Sequence, residues 1–131
     1  MLKLVDIHAS ATVQGEYVVL QNLGVVAVSL RGWALCTDAY FGDDVYRMAA
    51  QMFVFRDDVA IKPHTRIVLF TGCGDDGWMP TTDGREAYCA YWNRKERIWS
   101  VADHIHVLHL LASRRLRAPE PAVPVLAAAK L

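Results

Sequence analysis

Hydrophobic and polar positions alternate along much of this chain, and the alternation predicts strands. Residues 16–22 follow the two-residue period of a half-buried strand, with Val18 and Leu20 on one face and Tyr17, Val19 and Gln21 on the other. Asn22, Leu23 and Gly24 break the pattern as a turn does. A second apolar run ends in Leu30-Arg31-Gly32-Trp33-Ala34-Leu35, where Gly32 permits a kink that turns Leu30, Trp33 and Leu35 inward. Weaker alternation over residues 2–9 predicts an edge strand, and residues 10–15 a turn. Further strands are expected at 52–55, 66–71, 87–92, 98–100 and 103–111, with a charged hairpin tip at 93–97. The expected core is Val18, Leu20, Leu30, Trp33, Leu35, Phe53, Phe55, Ile67, Leu69, Trp99, Ile105 and Val107, with Trp33 filling the largest inner position.

Three stretches depart from the alternation. In residues 37–51, Asp43-Asp44 can open a short helix with Val45, Met48, Ala49 and Met52 along one face. In a two-sheet protein this stretch is expected to cross between sheets. Residues 72–84 are rich in Gly and Asp and read as a long loop. Residues 113–131 carry prolines among small residues, which favours extended geometry over a packed element. The expected organisation is therefore one domain over residues 1–112 and a Pro/Ala-rich tail or linker over 113–131.

The pattern Glu16-Tyr17-Val18-x-Leu20-x-Asn22, followed by Leu30-x-Gly32-Trp33-x-Leu35, resembles the lamin tail domain family. Downstream, Phe53-Val54-Phe55, Ile61-Lys62-Pro63, residues 66–72, Ile98-Trp99-Ser100 and residues 103–108 resemble successive strands and turns of that family. The resemblance spans residues 2–111. His64 stands where the family has a turn glycine, Val101-Ala102 replaces an Asn-Gly-like pair, and 37–52 is a longer segment than usual. The resemblance implies an all-β, immunoglobulin-like antiparallel β-sandwich. It also implies a non-catalytic interaction or tethering module in the manner of a stand-alone bacterial member.

A chain of 131 residues can bury its own core without a staple, and its formal net charge of zero argues against a broad nucleic-acid or membrane surface. Cys36, Cys73 and Cys89 have neither pairing parity nor metal spacing. No stretch is apolar enough for a signal peptide or a membrane span, so a cytoplasmic protein is expected.

Candidate chemistry is sparse. No nucleophile stands in a recognisable motif and no phosphate-cradling glycine loop precedes a helix, so no catalytic, cofactor or metal residue is assigned. His104 and His106, two apart, share a strand face and could share a metal with Asp103 or His8, although such pairs are common on any solvated strand face, which is the favoured reading. Asp75, Asp76 and Asp83 could offer oxygen to calcium but suit turns as well. Cys73 sits between two glycines with no cation beside it in sequence. Two surfaces remain. Val19, Val68, Phe70 and Leu108 are apolar at outward positions and would mark a protein interface, with a partner or with a second copy of the chain, if they adjoin. Arg94, Lys95 and Arg97 with Trp92, in the segment 91–99, could instead bind nucleic acid, as could the cluster Arg114, Arg115 and Arg117.

Overall fold

The structure, a computed structural model, describes residues 1–110. The tail at 113–131, with its arginine cluster, lies outside them. The described chain is all-β, with ten strands in three sheets. Strands β1 (Leu2–His8), β2 (Tyr17–Asn22), β7 (Arg66–Phe70), β8 (Gly77–Pro80) and β9 (Glu86–Tyr91) form a five-stranded sheet in the order β1-β2-β7-β9-β8. Strands β4 (Trp33–Thr37), β5 (Met52–Val54) and β10 (Ile105–His109) form a three-stranded sheet with β4 central. Strands β3 (Val28–Ser29) and β6 (Ala60–Ile61) make a short ribbon.

All three sheets feed one buried cluster. Val18, Leu20, Ile67, Leu69, Tyr88 and Ala90 enter it from the large sheet, Leu35 from the small sheet and Ile61 from the ribbon. Phe53, Ile105 and Val107 pack against it from the small sheet. Each fully buried Leu or Ile contributes roughly 1.5–3 kcal/mol by leaving water. Asn22 ends β2 as expected and does more. Its Nδ2 donates to the carbonyls of Val26 (3.0 Å) and Ile61 (2.9 Å), fastening the large sheet to the ribbon. His64 adopts φ 68°, a left-handed geometry that favours glycine.

Several expectations need correcting. The large sheet is mixed, because β7 and β9 run parallel while the other pairs are antiparallel. A parallel pair needs a long crossover, and the stretch between β7 and β9 supplies it. That stretch is not all loop: Trp78 pairs with Tyr88 and Met79 with Ala87, making β8 an edge strand. Its turn-rich composition masked the four residues that pair. Residues 37–51 do not cross between sheets, since β4 and β5 are neighbours in the small sheet. The insert instead bulges from a hairpin as a 3₁₀ turn (Asp38–Phe41) and a helix α1 (Val45–Ala50). Asp44 caps α1 by accepting from the N–H groups of Tyr46 (3.0 Å) and Arg47 (3.1 Å). However, no residue of α1 is buried. The Trp99–Val101 segment is a 3₁₀ turn rather than a strand, so 93–97 is a connection and not a hairpin tip.

Trp33 is half-buried and does not occupy the centre. It opens β4 immediately after Gly32, whose φ is 88°, and its ring stacks on that of His109 at the end of β10, with centroids 4.3 Å apart. The central indole is Trp99, 2% exposed.

Candidate interaction surface

Strand register decides which side chains share the outer face of the large sheet. The inward positions of β2, β7 and β9 are the core residues named above, so the alternate positions face out. Pairing sets His8 opposite Tyr17, Tyr17 opposite Phe70 and Phe70 opposite Tyr91. Four rings therefore cross four neighbouring strands in one row. His8 stacks on Tyr17 with centroids 4.5 Å apart and planes within 6°. Tyr17 meets Phe70 at 5.4 Å, and Phe70 stacks on Tyr91 at 4.9 Å. Such pairs add about 0.5–1.5 kcal/mol each beyond the area they bury. The backbone of Gly74 lies against the last ring: a Cβ there would stand 2.4 Å from Tyr91.

Beside this row, Val19 pairs with Val68 and Val68 with Cys89. Val68 and Phe70 are half-buried, and Val19 keeps 9% of its surface exposed. Burial pushes the Cys89 thiol up, and burial with Cys89, Asp76 and Asp75 nearby pushes the Tyr91 hydroxyl up. Both stay uncharged at neutral pH, which keeps this face apolar.

Three of the four expected interface residues, Val19, Val68 and Phe70, thus come together. Leu108 does not join them. Ile105 and Val107 turn toward the core, so Leu108 faces out from the small sheet, opposite Ala34. The sequence reading missed His8, Tyr17 and Tyr91 as members of the row. Parity marks Tyr17 as outward, but only the register across strands aligns the rings.

The basic and aromatic residues are tied into the fold. Trp92 is half-buried and packs between Phe53 (5.5 Å) and Trp99 (5.5 Å), and the Arg94 guanidinium lies 4.8 Å over its ring. Arg94 also donates to the carbonyl of Ala50 (2.6 Å) at the end of α1, and Arg97 to that of Ser10 (2.9 Å). Lys95 is exposed.

His104 and His106 meet at a group the sequence reading did not name. Asp38 lies between them, with Oδ2 at 2.7 Å from His104 Nδ1 and Oδ1 at 2.6 Å from His106 Nε2. The hydrogen bonds to His106 and His104 hold the Asp38 carboxyl below its usual range. The same hydrogen bond, then the Asp38 charge, holds His104 above its own. A carboxylate wedged between two imidazoles holds their nitrogens apart, which is a clasp and not a metal shell. His8 stands on the other sheet and Asp103 is exposed. Among the described residues, no three His, Cys, Asp or Glu side chains are placed to hold a metal ion.

The loop carboxylates do structural work. Asp76 accepts from the Tyr91 N–H (2.9 Å). Asp83 accepts from the Thr81 hydroxyl and the Arg85 N–H, which hold it below the usual carboxylate range. Asp75 is exposed, as is the free thiol of Cys73. Among the described residues, no helix is long and apolar enough to cross a membrane. The chain matches no protein-family model, and no curated protein or solved structure proves similar to it.

Proposed function

We propose that this chain is a non-catalytic protein-binding module, an immunoglobulin-like β-sandwich of the lamin tail type, that meets its partner through the outer face of the large sheet. The observation that carries this reading is the row His8–Tyr17–Phe70–Tyr91 with Val19 and Val68 beside it. A sheet face exposed only to water favours polar residues, and aromatic rings are enriched where proteins meet. The single buried cluster fed from both larger sheets supports the sandwich, and His64 at a glycine-like φ supports the family resemblance. The parallel β7–β9 pair is a departure from an all-antiparallel sandwich.

The partner is a protein surface of matching apolar character, and a second copy of the chain is the first to test. Light scattering at two concentrations should give a mass that rises with concentration for the wild type and stays monomeric for Phe70→Asp. A pull-down from the native host with the same pair should lose its captured protein in the variant. If Phe70→Asp folds and behaves as wild type in both, the reading fails. The nucleic-acid alternative draws less support, because Arg94 and Arg97 already donate to backbone carbonyls. A salt series with labelled single- and double-stranded DNA tests it, since phosphate contacts weaken steeply with salt.

A further inference from the structure

At one end of the molecule a groove of about 660 Å³ runs between residues 62–66 and the β8–β9 hairpin. That volume falls in the roughly 300–1,000 Å³ range of small-molecule sites. Its walls carry Lys62, Arg66, Arg85, Asp83 and Glu86, with Trp78 at the edge strand. These groups differ in how free they are. Asp83 is engaged by Thr81 and the Arg85 backbone, and Arg66 reaches it only at 3.8 Å. Among the described residues, no hydrogen bond or ion pair holds the side chains of Lys62, Arg85 or Glu86. The open charges are thus two cations and a loosely held third against one carboxylate.

Trp78 is 42% exposed, and its contact with Tyr88 is edge-on at 72°, so that contact covers at most one face of the indole. The groove therefore offers a flat π surface, an ammonium and a guanidinium suited to a carboxylate, and an acceptor for hydroxyl groups. A sugar ring that presents a C–H face, several hydroxyls and one carboxylate fits all three features.

We infer that this groove binds an acidic saccharide, a hexuronic acid or a chain of them, with the ring on Trp78 and the carboxylate at Lys62 and Arg85. The site is separate from the outer-face row and does not depend on it.

Calorimetric titration of the full chain with tetragalacturonate tests the inference, with maltotetraose and oligodeoxythymidylate as comparison ligands. The acidic saccharide should bind with a Kd of roughly 0.1–1 mM at low salt. Maltotetraose should bind about tenfold more weakly for want of the charge-assisted hydrogen bonds. Trp78→Ala and the double variant Lys62→Gln/Arg85→Gln should each weaken tetragalacturonate about tenfold. These residues are exposed, and their melting curves should match wild type, which separates lost binding from lost folding. No binding of tetragalacturonate at about 10 mM overturns the assignment. So does binding unchanged in both variants. Tighter binding of oligodeoxythymidylate also overturns it and gives the groove to nucleic acid.

Discussion

Glu16 is fully buried, yet its carboxylate lies below its usual pKa. Burial alone would raise it. Hydrogen bonds from the Ser100 and Thr71 side chains and from the N–H groups of Ile98 and Ser100 outweigh that effect. Oε1 accepts from Thr71 Oγ1 (2.5 Å) and the Ile98 N–H (3.1 Å), and Oε2 from the Ser100 N–H (2.7 Å). A folded pKa below the unfolded value contributes stability above about pH 4.5, which is lost as pH falls through the folded pKa. Glu16→Ala strands buried donors and should cost about 3–5 kcal/mol, read as a large fall in Tm. Trp99 and Trp33 should separate as well. Trp99→Ala should cost about 3–5 kcal/mol and half-buried Trp33→Ala clearly less, by urea denaturation of both. This difference was not legible in the chain, where Gly32 beside Trp33 suggested the deeper position. Glu16 was equally hidden, because glutamate is rarely buried unless paired and its partners Ile98 and Ser100 lie far along the sequence.

At the scale of elements, the insert between β4 and β5 is held by a clasp from a distant strand. Asp38 in the insert binds His104 just ahead of β10 and His106 within it. Phe41 also meets His106 edge-on at 4.9 Å. The His104 contribution is complete below its ordinary value of 6.5 and is lost as pH rises through the raised folded pKa. The Asp38 contribution holds above 3.8 and is lost as pH falls through the lowered one. The clasp is therefore tightest from about pH 4 to 6.5 and loosens above that range. Amide exchange across the 3₁₀ turn should quicken as pH rises through the His104 titration, after correction for intrinsic exchange. Asp38→Asn should remove that step. Alternation made β2 and β7 legible, and β7 shows it most plainly, with Ile67 and Leu69 buried between less buried neighbours. Strand β8 was not, since Gly77 and Pro80 bound an edge whose side chains gain little by burial. The outer face was legible residue by residue at Val19, Val68 and Phe70. Its continuity was not, because register is a property of pairs of strands.

Seen whole, the large sheet is assembled from hairpins and one strand that belongs to none. β1 pairs with β2, and β8 with β9, each with its neighbour along the chain. β7 lies between β2 and β9 and pairs with neither β6 nor β8. It carries Ile67 and Leu69 into the core and Phe70 into the outer row, so both faces of the sheet depend on it. Local hairpins can close in microseconds, whereas a strand with only remote partners waits on slow loop closure. The kinetic consequence is that β7 acts as a keystone set late. Ile67→Val should leave the refolding rate nearly unchanged and accelerate unfolding in stopped-flow measurements. Until it is set, the two hairpins offer raw edges to any neighbouring chain. The time before that closure is the interval in which this protein is most exposed to aggregation.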